Sequence, residues 1–94
     1  MRIKGKVSHI FHSMESGFKI IALEISKNSA IPEKYRNPDF PFSVSVVGNL
    51  KLAQEEYVVE VTGEWERREN GRYWPWQFKV DSYTVCDFET PRIL

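Results

Sequence analysis

A single cysteine, Cys86, leaves this chain without the makings of an internal disulfide, so its 94 residues hold together by packing, and a lone thiol fits a reducing compartment. Long apolar runs are missing too. No stretch approaches the roughly 20 residues a membrane-spanning helix needs, and Met1 leads at once into an alternating pattern instead of a leader segment. The chain is therefore expected to be cytoplasmic, with no membrane partner. Net charge is also absent. Thirteen basic residues balance thirteen acidic ones, so no overall field attracts nucleic acid, and any such binding has to be local. Catalytic signatures are equally scarce: there is no Gly-rich loop closing in Gly-Lys-Ser/Thr, no Gly-x-Ser-x-Gly elbow, no His-Glu-x-x-His and no Cys-x-x-Cys. His9 and His12 stand three apart, which on a strand sends them to opposite faces and disfavours a metal site. Cys86 has no His or Lys near it in sequence and reads as an inert strand-end residue.

What the chain does have is a folded domain's balance, 41% hydrophobic with 28% charged residues, in a length that allows one small core. Its organising stretch runs from Tyr57 to Val85, where two alternating runs flank Glu69-Asn70-Gly71-Arg72. Asn-Gly suits a two-residue turn with positive φ at both positions, so the segment predicts a long β-hairpin. Turning at Asn70-Gly71 sets Trp65 opposite Trp76, Gly63 opposite Phe78 and Val61 opposite Val80, with Thr62, Glu64 and Arg68 facing Lys79, Gln77 and Tyr73. One face then carries Tyr57, Val59, Val61, Trp65, Trp76, Phe78 and Val80 inward, and the Phe78 ring covers the gap left by Gly63. The other face is polar.

Upstream, residues 2–12 alternate with Ile3 and Val7 inward, joined by Ile10 or Phe11, and Arg2, Lys4 and Lys6 outward. The phase breaks near Ser8-His9, the mark of a bulge in a strand that bends to pair on two sides. After a turn at Ser13–Gly17 a second strand, Phe18 to Ile25, puts Ile21, Leu23 and Ile25 in the core row and leaves Phe18, Ile20 and Ala22 for the other side or a partly exposed groove. Residues 26–41, with prolines 32, 38 and 41, form a long loop. Phe42 to Gly48 is a third strand with Phe42, Val44 and Val46 on one face and Ser43 and Ser45 on the other, and Asn49 to Glu55 offers one helical turn at most.

Five strands with a brief helical break only between the third and fourth predict an all-β, five-stranded, OB-fold-like Greek-key barrel over residues 1–88, with residues 89–94 a tail and an SH3-like barrel as the alternative. In an OB-fold the loops between strands one and two and between strands four and five wall the groove where single strands of nucleic acid lie. The hairpin tip gathers Arg67, Arg68, Arg72, Tyr73 and Trp74, which together with Lys19 are the candidate nucleic-acid contacts: cations track phosphates and aromatic faces stack on bases. Trp65 and Trp76 read as core, and Trp74 also suits a cation–π contact with Arg67. The acidic row 55, 56, 60, 64 and 66 and the basic row Arg2, Lys4 and Lys6 read as solvated faces.

The run ending in Glu15-Ser16-Gly17-Phe18, then Val46-Val47-Gly48-Asn49-Leu50, Gly63-Glu64-Trp65 and Gln77-Phe78-Lys79-Val80 resembles, in order and rough spacing, the amino-terminal OB domain of RecD-like (RecD/TraA-type) ATP-dependent DNA helicases. Against that family, residues 26–41 are an insertion and the hairpin tip, Arg67 to Trp74, has its own sequence in place of a His-Pro-x-Tyr-Gly-type turn. Members continue past a Thr-Pro pair, here Thr90-Pro91, into helical and motor domains. The resemblance implies a bacterial protein that unwinds DNA in repair or recombination, with ATP and magnesium bound only in motor domains beyond this segment. This piece is then a non-catalytic module whose partners are single-stranded DNA and the downstream helicase domains. The alternative is a module that docks on protein through an apolar patch and binds no nucleic acid of its own.

Overall fold

The computed structural model describes residues 1–26, 31–68 and 74–87. Its strands are β1 (Arg2–Ser13), β2 (Phe18–Glu24), β3 (Ser43–Asn49), β4 (Val58–Arg67) and β5 (Trp76–Asp87). They close a barrel in the order β1-β2-β3-β5-β4, every neighbouring pair antiparallel except β3 with β5. This is the expected all-β barrel of the OB type.

β1 makes closure possible. Its first half pairs with β4, from Arg2 opposite Thr62 to Lys6 opposite Val58, and from Lys6 onward it pairs with β2. The register shifts between Val7 and His9 and again between Ile10 and His12, so the phase break in the sequence is a real bulge and the strand bends there. Gly17, with φ +98°, turns β1 into β2, a backbone shape that L side chains rarely adopt.

The alternating rows meet in a single core. Val7, Ile21, Leu23, Val46, Val59, Val61 and Phe78 are fully or almost fully buried, and Leu50 and Ala53 plug one end of the barrel. Between β3 and β4 the chain turns at residues 51–52 and 55–56; Leu50 N–H donates across to the Gly17 carbonyl and Ala53 N–H to that of Leu50. Among the described residues the one helical turn lies elsewhere, a 3-10 turn at Glu33–Tyr35 inside the long loop.

The β4–β5 ribbon corrects the expected register. Trp65 faces Phe78, Glu64 faces Lys79, Gly63 faces Val80 and Arg67 faces Trp76, two positions along from a tight turn at Asn70-Gly71. Arg68 N–H accordingly donates to the Pro75 carbonyl, while the expected pairing of Arg68 with Tyr73 falls outside the described residues. On the tip side this slip of two leaves each side chain on its expected face, so the alternation could not distinguish the two pairings. At Thr62 and Val61 the displacement is three, with Val61 facing Tyr83 and Thr62 facing Ser82 where Val80 and Lys79 were expected. A further shift between Thr62 and Gly63 brings the β5 backbone against Gly63, where an added Cβ would collide with the Lys79 carbonyl oxygen. Backbone, not the Phe78 ring, fills that gap. Gly63 also exchanges hydrogen bonds with Met1, at 3.0 Å in each direction, which extends the β1–β4 pairing to the amino terminus.

The outward basic residues of β1 pair with acidic residues of β4 and of the turn that precedes it. Arg2 lies 3.6 Å from Glu60 and Lys6 lies 2.6 Å from Glu56, both substantially exposed. Such exposed pairs contribute at most about 1 kcal/mol each, but they leave that face electrically mixed.

Candidate functional site

On the outer side of β1, β2 and β3 lies an open groove of about 610 Å³. Its floor is set by alternation: Ile20 and Ala22 of β2, with Ser43 and Ser45 of β3, are the outward members of strands whose other residues fill the core. Beyond its bulge β1 adds Ser8, His9 and Phe11. His9 and Phe11, two residues apart on the strand, lie on the same side, where their rings meet edge to face at 4.8 Å, and Phe11 stays 60% exposed. Ser8 is fixed by a hydrogen bond from its hydroxyl to the Ala22 carbonyl at 3.2 Å.

Two loops raise the walls. From the β4–β5 connection come Arg68 and Trp74; from the long β2–β3 loop come Asn37 and Phe40, the latter 65% exposed. Trp74 is held at both ends. Its indole N–H donates to the Tyr35 carbonyl at 3.1 Å, and its own carbonyl accepts from Arg68 Nη2 at 2.8 Å. Arg68 Nε is buried without a hydrogen-bond partner. The groove is thus a mostly apolar trough with hydroxyls along the floor, three large ring-bearing side chains at its edges and, among its described lining residues, a single guanidinium and no lysine. Such a surface stacks flat rings, offers donors and acceptors to their edges and holds few anions at once.

The six candidate contacts divide. Arg68 and Trp74 line the groove. Arg67 is exposed, faces Trp76 across the ladder and does not line it; the arginine that grips Trp74 is Arg68. Arg72 and Tyr73 lie outside the described residues. Lys19 is elsewhere. It sits on the inward row of β2, only 5% exposed, and its Nζ donates to the carbonyls of Ala53 at 2.5 Å and Lys51 at 3.3 Å, tying the barrel's plug to β2. Desolvation by burial holds its pKa below the usual lysine value.

The sequence reading missed Phe11, Phe40, His9, Asn37 and the two serines of β3. The outward parity of Ser43 and Ser45 was a usable signal; the placement of Asn37 and Phe40 was not, since it depends on how a proline-rich loop folds back. Residues of the β1–β2 turn, expected to wall the groove, do not line it. Among the described residues, no three His, Cys, Asp or Glu side chains cluster so as to hold a metal ion.

Compared with known proteins, residues 1–87 match the family described as the OB-fold domain of the ATP-dependent DNA helicase YrrC. No curated protein and no solved structure matches the chain.

Proposed function

The chain belongs to the family of OB-fold domains of the ATP-dependent DNA helicase YrrC, and from that premise we propose that it is a non-catalytic module that receives single-stranded DNA in the groove over β1, β2 and β3. The observation that carries the reading is the convergence of Trp74 and Arg68, from the β4–β5 loop, with Phe11 from β1 above a floor of Ile20, Ala22, Ser43 and Ser45. A volume of about 610 Å³ falls within the range of about 300–1,000 Å³ typical of clefts that take small organic ligands, so the groove seats a short stretch of strand. Bases stack on the rings, at about 1–3 kcal/mol each, while Arg68 meets a phosphate. The module steadies or guides a strand beside the motor domains of a RecD-like bacterial helicase acting in repair or recombination in the cytoplasm. ATP hydrolysis belongs to those domains: this sequence has no phosphate-cradling loop with its Lys-Ser/Thr pair.

A second reading is favoured by Phe40 and Leu52, each 65% exposed. Exposed apolar side chains of this kind suit contacts with protein, such as the downstream domains. Titration of the chain with a fluorescein-labelled oligothymidylate, followed by anisotropy, separates the two. Saturable binding that Trp74→Ala weakens supports the groove; no binding at low salt leaves docking as the function.

A further inference from the structure

The long β2–β3 loop is more than an interruption between strands. Ile31 is buried in the core cluster, and the 3-10 turn that follows sets Tyr35 against the β4–β5 ribbon. The Tyr35 ring stacks on Trp65, with centroids 4.6 Å apart and planes 11° from parallel, and meets Trp76 edge to face at 4.8 Å. The Lys34 ammonium lies over both Tyr35 and Trp76, at 4.8 and 5.3 Å from their centroids. A ring held on two sides fixes the backbone that bears it, and the Tyr35 carbonyl is the group that accepts the Trp74 indole N–H.

We infer that residues 31–42 act as a strap across the barrel, with Tyr35 as the positioning residue that fixes Trp74 for stacking in the groove. This rests on the groove being the strand's seat. The physical advantage is preorganisation: a loop tryptophan free to turn has to be ordered on binding, whereas one already bonded at its indole nitrogen and its carbonyl has lost that freedom beforehand. The strap also supplies Asn37 and Phe40 to the lining of the groove, so one segment both forms part of its wall and sets the pose of its largest ring.

The test compares the 94-residue chain with Tyr35→Phe, Tyr35→Ala, Trp74→Ala and the Tyr35→Ala/Trp74→Ala double variant. Solvent exchange of the Trp74 indole proton, read by NMR without DNA, should speed up at least tenfold in Tyr35→Ala and stay as in the parent chain in Tyr35→Phe, which keeps the flat ring. Unchanged exchange in Tyr35→Ala overturns the inference. With labelled oligothymidylate, Tyr35→Ala should weaken binding at least about fivefold, the loss of one modest stack, Tyr35→Phe should not, and Tyr35→Ala should cost nothing further once Trp74 is alanine. An equal loss in the Trp74→Ala background overturns it, because Tyr35 would then act on the whole fold and not through Trp74. Should Tyr35→Ala fail to fold, Tyr35→Leu keeps the apolar bulk without the flat ring and carries the same outcomes. If Trp74→Ala binds as the parent chain does, the groove reading fails and indole exchange alone decides whether Tyr35 positions Trp74.

Discussion

Lys19 Nζ donates to the Ala53 carbonyl at 2.5 Å, inside the barrel and across 34 residues of chain. A charged residue on the inward row of a core strand is costly unless its donors are used, and here two carbonyls of the plug use them. The plug is irregular backbone, so the lysine satisfies acceptors that a helix would satisfy internally.

Replacing Lys19 by Met keeps most of the stem and strands those carbonyls. The expected loss is about 1–3 kcal/mol of unfolding free energy, the cost of buried acceptors left unpaired, read from urea melts at pH 7. The pH profile carries a second signature. Burial lowers the folded-state pKa below the usual 10.5, so in the window between the folded and unfolded values the unfolded chain binds more protons and stability attributable to this group rises with pH. The gap between parent chain and Lys19→Met should therefore widen as pH climbs toward 10.5; a gap that narrows would contradict the assignment.

Gly63 admits no side chain, because a Cβ would collide with the Lys79 backbone. Gly63→Ala has to push β5 away from β4 at the bulge, breaking contacts on both sides of the ribbon. A loss of roughly 4 kcal/mol or more, the scale reserved for disrupted packing and strained backbone, should show as a collapsed thermal midpoint or no folding at all. Melting within a few degrees of the parent chain would mean the ribbon slides without cost.

Glu56 holds φ at 74°, a left-handed conformation costing roughly 1–2 kcal/mol for an L residue. It also forms the ion pair with Lys6 at 2.6 Å. That pair is exposed and worth less than about 1 kcal/mol, so strain should outweigh it. Glu56→Gly is expected to leave stability unchanged or raise it by up to about 1 kcal/mol, after the extra freedom glycine gives the unfolded chain is deducted. A clear loss in chemical denaturation would show that the ion pair dominates.

Binding of single-stranded DNA should depend only weakly on salt. With Arg68 the one cation among the described lining residues and a slope of about −0.7 per phosphate contact for single strands, a plot of log affinity against log salt should have a slope of about −0.7 to −1.4. Anisotropy titrations at several NaCl concentrations give the slope directly. A value several times steeper would place the strand along other arginines and away from this trough.

Much of the architecture could be read from the residues alone. A period of two says which side chains face inward, so the core rows of β2, β3 and the β4–β5 ribbon, the bend in β1 at Ser8-His9, the turn at Gly17 and the outward pair Ser43 and Ser45 were legible. The exception is Phe42, which lies just before β3 and is exposed instead of joining Val44 and Val46. The period is blind to pairing. Strands shifted by two keep their faces, and only the closed barrel, with β5 pressed on Gly63, decides that Trp65 meets Phe78. The site was half legible for the same reason. Arg68 and Trp74 are marked by their place beside a turn, whereas the withdrawal of Lys19 to the plug and the return of Tyr35 onto Trp65 and Trp76 depend on contacts between distant segments. Local pattern reports the environment a residue needs; which partner supplies it is settled when the chain closes on itself.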